Sequence, residues 1–136
     1  MTTPVEITDR TYHLTVQAPG GRVYSSNDDH SKAGRWHVTA RRNAWKHDAW
    51  VEAMAAGIPP LGRIHVQVTI RLRNWRCADA HNYPGASSFK GLLDGLVAAR
   101  VVADDRAEFM EVDMPKLAPL EGGRPRIELV IRQVSQ

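Results

Sequence analysis

Cysteine and lysine are scarce in this 136-residue chain, with one cysteine, Cys77, and four lysines. A lone cysteine excludes an internal disulfide and leaves no second thiol for a zinc knuckle, which fits a reducing cytoplasm. No apolar run approaches the roughly 20 residues needed to cross a bilayer. Met1-Thr2-Thr3-Pro4 lacks the charged and apolar regions of a signal peptide, so a soluble, cytoplasmic protein is expected. There is no internal repeat or linker, and residues 1–136 are expected to form one domain, long enough to bury a core without disulfides or structural zinc. The shortage of lysine has a counterpart in fourteen arginines, with a net charge of +3. Forked guanidinium groups suit oxyanions, so polyanion binding is one expectation. A small basic domain with no link to nucleic acid has the same balance, and the placement of the charges must separate the two.

Alternation predicts a first strand over Tyr12–Gln17, ended by Pro19-Gly20-Gly21. Residues 22 to 40 are polar and aperiodic, and Ser25-Ser26-Asn27-Asp28-Asp29-His30 reads as a surface loop or a segment that orders on binding. Trp45, Ala49, Ala53 and Ala56 recur at helical spacing from about Ala40, with Trp50 and Met54 on the adjoining strip, until Gly57-Ile58-Pro59-Pro60 stops the helix. Arg41, Arg42 and Lys46 sit in its first turns, where the helix dipole is already positive. Either an anion docks there or the face is simply solvated. The clearest strand is Ile64–Leu72, apolar residues alternating with Arg63, His65, Gln67, Thr69, Arg71 and Arg73. Its polar face becomes cationic toward the end, and Arg71, Arg73 and Arg76 are expected to converge on Asp79.

A second helix is predicted over Ser88–Ala99 from the stripe Phe89, Leu92, Leu93, Leu96 and Val97, with Ser87 or Ser88 as its N-cap. Gly91, Gly95 and Ala98 form a second, smooth strip on which another helix or a partner subunit could approach closely, whether in a symmetric dimer contact or in tight packing on the chain's own sheet. Asp104-Asp105 follows in a turn. Strands over Phe109–Met114 and Arg126–Val134 close the chain, separated by a Pro/Gly-rich loop over Pro115–Pro125. The order strand, helix, strand, helix, strand, strand implies an α+β domain with one mixed sheet and two main helices packed on it.

Asp79 and Asp105 are oxygen donors of the kind Mg²⁺ prefers, and Lys90 is placed to stabilise charge on a phosphate. Aspartates in turns are also ordinary turn formers and caps. The segments Asp79-x-His81-Asn82, Lys90-Gly-Leu-Leu-Asp94-Gly-Leu and Val101-Val102-Ala103-Asp104-Asp105 together resemble the signature of RusA-type Holliday junction resolvases. In that signature an Asp-x-Asp-Asn leads to Lys-x-x-x-Asp-x-Leu and an Asp-Asp before a strand. The likeness covers most of the chain in element order but is specific only between Asp79 and Asp105.

The resemblance implies a small α+β homodimer, cytoplasmic in a bacterium or encoded by a prophage or phage, that cuts four-way DNA junctions by paired symmetric nicks. Mg²⁺ is the implied cofactor, with Mn²⁺ as its alternate. It makes Asp79 and Asp105 metal-binding carboxylates, Lys90 the essential lysine, and Asp104 a weaker supporting neighbour. Asp94 is placed to pair with Lys90 one turn away or to contact the second subunit. Asn82, Arg41, Arg42, Lys46, Arg71, Arg73 and Arg76 would grip the DNA backbone.

The chain departs from the signature in three places. His81 stands where the second motif aspartate belongs, and imidazole is a ligand Mg²⁺ disfavours. Residues 83–87 lengthen the path from Asn82 to Lys90, and Arg100 replaces a helix-ending glycine. Two other readings stand beside the nuclease: a catalytically impaired DNA-binding member of the family, and a small basic phage interaction protein.

Overall fold

A computed structural model describes residues 10–134. Three strands follow the predicted alternation: β1 (Thr11–Gln17), β2 (Ile64–Leu72) and β5 (Arg126–Gln133). Leu14 and Val16, Ile64, Val66, Val68, Ile70 and Leu72, and Ile127, Leu129 and Ile131 all point into one hydrophobic core. The opposite face carries His13, Thr15, Gln67, Thr69, Arg71 and Glu128, and among the described residues no helix covers it. β5 lies between β1 and β2 and pairs antiparallel with both, Val16 opposite Ile127 and Val68 opposite Leu129. β2 continues the sheet in parallel with β3 (Met110–Val112) near its start and with β4 (Lys116–Pro119) near its end. The sheet is therefore mixed, as expected.

Two long helices cover the inner face. α2 (Val38–Ala55) links β1 to β2, and α3 (Ser87–Ala98) links β2 to β3, so both connect strands of one direction and run parallel to each other. Trp45, Ala49 and Ala53 of α2 are buried, whereas Trp50 and Met54 on the adjoining strip are exposed. The smooth strip at Gly91 and Gly95 is occupied by another helix of the same chain. A side chain on either would collide with α2, at the Arg42 carbonyl and the Ala49 side chain respectively. The two glycines serve close helix packing inside the chain, and the partner is α2 rather than the sheet.

Three stretches correct the sequence reading. The segment at 25–30 is not a loop: α1 (Ser26–His30) starts with a reciprocal capping box in which Ser25 Oγ accepts from the Asp28 amide while the Asp28 carboxylate accepts from the Ser25 amide. The Pro115–Pro125 loop contains β4, a four-residue strand that pairs with β2 and has Pro119 at its last position, where a proline is tolerated. The serines at the start of α3 are not its N-cap. Ala86 holds that position, and the orphan N–H of Ser87 donates across the fold to the Asp29 carboxylate, 2.6 Å away.

Both long helices end in the same way. After α2, the amides of Gly57 and Ile58 donate back to the carbonyls of Met54 and Ala53, and Gly57 sits at φ 67°. After α3, Arg100 and Val101 repeat the pattern onto Val97 and Leu96, with Arg100 at φ 62°. Arg100 thus adopts the left-handed turn that the expected glycine would have made, at the cost of steric strain.

Candidate functional site

Asp29 organises the region where the sequence placed its motif. It is 6% exposed, and its carboxylate accepts from the Ser87 amide and from Ser87 Oγ at 2.7 Å, with the Arg41 guanidinium at 3.4 Å. Arg41 also lies over the Tyr24 ring at 3.8 Å, and the Tyr24 amide donates to Ser88 Oγ. The start of α3 is thereby tied to α1 and to the first turn of α2. A buried carboxylate is stable there because three donors and a helix N-terminus replace its water.

Beside this knot opens a cleft of about 400 Å³, lined from α1 by Ser25, Asn27 and Asp28, and from the segment after β2 by Arg73, Asn74, Cys77, Asp79, Asn82 and Tyr83. Arg22 lines it too, its Nη2 donating to Asp28 Oδ1 at 2.5 Å. Asp79 begins a short 3-10 turn, its Oδ1 accepting from the His81 amide at 3.0 Å while the Asn82 amide donates to its carbonyl. One carboxylate oxygen is thus spent on holding the turn. Tyr83 is largely buried, and burial, with the charge of Asp28, pushes its hydroxyl above the ordinary phenol range. It stays protonated at neutral pH and keeps its ability to donate.

The other motif carboxylates stand elsewhere. Asp104 and Asp105 line a shallow depression of about 320 Å³ with Lys46, Asp94 and the α3 residues Val97 and Ala98. The Asp105 amide donates to the Asp104 carboxylate, and hydrogen bonding with Asp105, helped by Arg106, holds the Asp104 carboxyl below its usual range. Asp79 lines the cleft and Asp105 the depression, so the two lie in different surface concavities. Lys90 is exposed on α3, lining neither.

The arginines are more committed than the sequence reading expected. Arg71 does not turn to Asp79: its Nε donates to Glu128 at 2.9 Å and its Nη1 to the Pro119 carbonyl, on the open face of the sheet. Arg126 joins it on Glu128. Burial alone would raise the Glu128 carboxyl, but the two guanidinium groups outweigh that and hold it below its usual value. Arg76 lies over the Trp75 ring, and only Arg73 of the three shares the cleft with Asp79. Arg42 takes Asp94 at 2.6 Å, the partner expected for Lys90 or for a second subunit, and this hydrogen bond raises its own pKa. Arg41 is held by Asp29. His81 is exposed and lies outside the cleft lining.

Among the described residues no three His, Cys, Asp or Glu side chains come together as a metal site. In the cleft, Asp28 is engaged by Ser25 and Arg22, which leaves Asp79 as the carboxylate with a spare oxygen. Mg²⁺ takes about six hard oxygen ligands in near-octahedral geometry. The residues one chain brings to the cleft do not fit that demand by themselves. The cleft has instead a mixed character, two guanidinium groups beside amide and carboxylate oxygens, which can hold an oxyanion near a hydrogen-bond acceptor.

Arg22, Asn27, Asp28, Asn74 and Tyr83 were not singled out in the sequence. The capping pattern Ser25-x-x-Asp28 was the available signal for α1 and hence for this wall of the cleft. The chain matches no protein-family model, and no curated protein matches it.

Proposed function

We propose that this chain is a RusA-type, structure-selective endodeoxyribonuclease that works as a homodimer on four-way DNA junctions with Mg²⁺. The observation that carries the proposal is the Asp79–Asn82 turn at a cleft flanked by Arg22 and Arg73, where a backbone phosphate would meet guanidinium donors beside an acidic side chain. The same four-residue turn carries the sequence likeness to the family. The homodimer also bears on Asp105, since a two-fold partner is one source of the oxygen donors that a single chain does not bring to Asp79. One observation favours a second reading, a RusA-like protein that binds junctions without cutting them: Asp79 and Asp105 line separate concavities, and His81 offers no carboxylate.

The test is cleavage and binding of a synthetic four-way junction in Mg²⁺ and in Mn²⁺. The nuclease reading expects cleavage by the native protein, and Asp79→Asn should reduce it by about a hundred- to a thousandfold, the scale of losing one catalytic contact, with junction binding intact. Undiminished cleavage by Asp79→Asn would show the motif to be misassigned. Binding without cleavage in either metal leaves the second reading. Affinity with a weak salt slope and no preference for the junction points to an interaction protein instead.

A further inference from the structure

The four tryptophans have different fates. Trp45 is fully buried, Trp75 packs against the core, and Trp50 lies half-open on α2 against His47. Trp36 is the most exposed of the four, at 76%, and the Arg35 guanidinium lies over its ring at 5.3 Å.

Its position is built rather than loose. Ser31 Oγ donates to the Asp28 carbonyl at 2.8 Å and accepts from the Gly34 amide at 2.9 Å, the Arg35 amide donates to the Ser31 carbonyl, and the His37 amide closes the turn onto Gly34. A side chain at Gly34 would run into the Asp28 carbonyl, so the turn requires glycine. These bonds fasten the Trp36 turn to Asp28, which lines the cleft. Lys32, Arg35 and His37 lie within four residues of Trp36 in the sequence, and no acidic residue lies within four residues of it on either side. An exposed indole costs solubility, and a fixed one flanked by cations has the properties of a surface for stacking an anionic, flat ligand.

We propose that the Arg35–Trp36 turn is a stacking platform for an unpaired nucleobase of the DNA held at the neighbouring cleft, with Arg35 and Lys32 on the adjoining phosphates. This rests on the nucleic-acid reading above and extends it to substrate form: the protein would prefer DNA with unpaired bases near the contact. Stacking tolerates any base, so the platform adds affinity without sequence preference. A protein partner is the other class of occupant for an exposed Trp–Arg pair. The uncompensated positive charge favours the polyanion.

Fluorescence anisotropy with labelled oligo-dT, a four-way junction and a fully paired duplex tests the platform in the full chain. Trp36→Ala should weaken oligo-dT binding by about fivefold to fiftyfold, the range for loss of one base–aromatic stack, while Trp36→Phe retains most of it. Duplex affinity and the salt slope should be unchanged, because stacking displaces no counterions. Unchanged melting of Trp36→Ala would confirm that the fold is intact. Equal losses on all three probes, or no loss on oligo-dT, would overturn the platform while leaving the junction reading untouched. The second of these outcomes would leave the turn to a protein partner. A native protein that binds none of the probes overturns both.

Discussion

The two ends of α3 hold their charged side chains by different means. At its start, four segments converge: Asp29 from α1 caps the helix, Arg41 from α2 neutralises it, Tyr24 is bonded to Ser88, and the Asp79 turn stands beside them. At its end the chain is pinned across the fold through Val101 and Val102, the Leu61 amide donating to the Val101 carbonyl and Gly62 bridging to Val102, while the charged groups around it are held locally. Arg100 turns the chain, Asp104 accepts from the next residue, and Arg106 pairs with Asp104 and Glu108. The first end is held by contacts across the fold and is fixed enough to position a site. At the second end the carboxylates beyond Val102 rest on neighbours in sequence and are restrained chiefly by one another and by Arg106.

Three substitutions put that contrast to a test. The largest effect is expected at the start of α3, where Asp29→Ala strands the Ser87 donors and the Arg41 charge and should lower the unfolding free energy by about 3 kcal/mol. Chemical denaturation would read it, and a loss below about 1 kcal/mol would mean that the long-range cap is not what holds this end. Next in size is Arg100→Gly. It removes a side chain from a left-handed position, and despite the added freedom of the unfolded chain it should stabilise by about 0.5–1 kcal/mol. A lower melting temperature would show that the Arg100 side chain makes a contact worth more than its strain.

Asp104→Ala should have the smallest effect, and its sign follows from the depressed Asp104 carboxyl. A group whose folded value lies below its unfolded one stabilises the protein above the ordinary carboxylate range and loses that contribution as pH falls through the folded value. The variant should therefore fall slightly behind the native protein near neutrality and converge with it in acid. Thermal melts across pH would reveal a gap that widens in acid if the sign is wrong.

The sequence was most legible where side chains repeat. Ile64 to Leu72 alternates without a break, and Trp45, Ala49 and Ala53 mark one helical stripe, so β2 and α2 were readable from burial alone. It was least legible where one residue answers a distant one. Nothing local shows that Asp29 will cap a helix 58 residues away, and the prolines around Lys116–Pro119 hid a strand that exists because β2 offers it a parallel edge. The glycines of α3 announced close packing but not its partner, since a smooth strip fits a sheet, a second subunit or α2 equally. The arginines were misplaced for a related reason: Arg71 has Glu128 beside it only once β5 is in register. Among the motif residues, the Asp79 turn is local and could be anticipated, whereas the separation of Asp79 from Asp105 depends on the whole path of α3.

The place of β5 also governs how this chain can be made. It is the last described strand in sequence and lies in the sheet between β1 and β2. During synthesis the first two strands emerge and wait, each with the edge that β5 will cover still open, until residues 126–133 leave the ribosome. Folding is then dominated by distant pairings, which places it among the slower topologies for its size. A nascent chain stalled before Arg126 holds two strands, each with one apolar face, and nothing between them, a species for chaperones to guard.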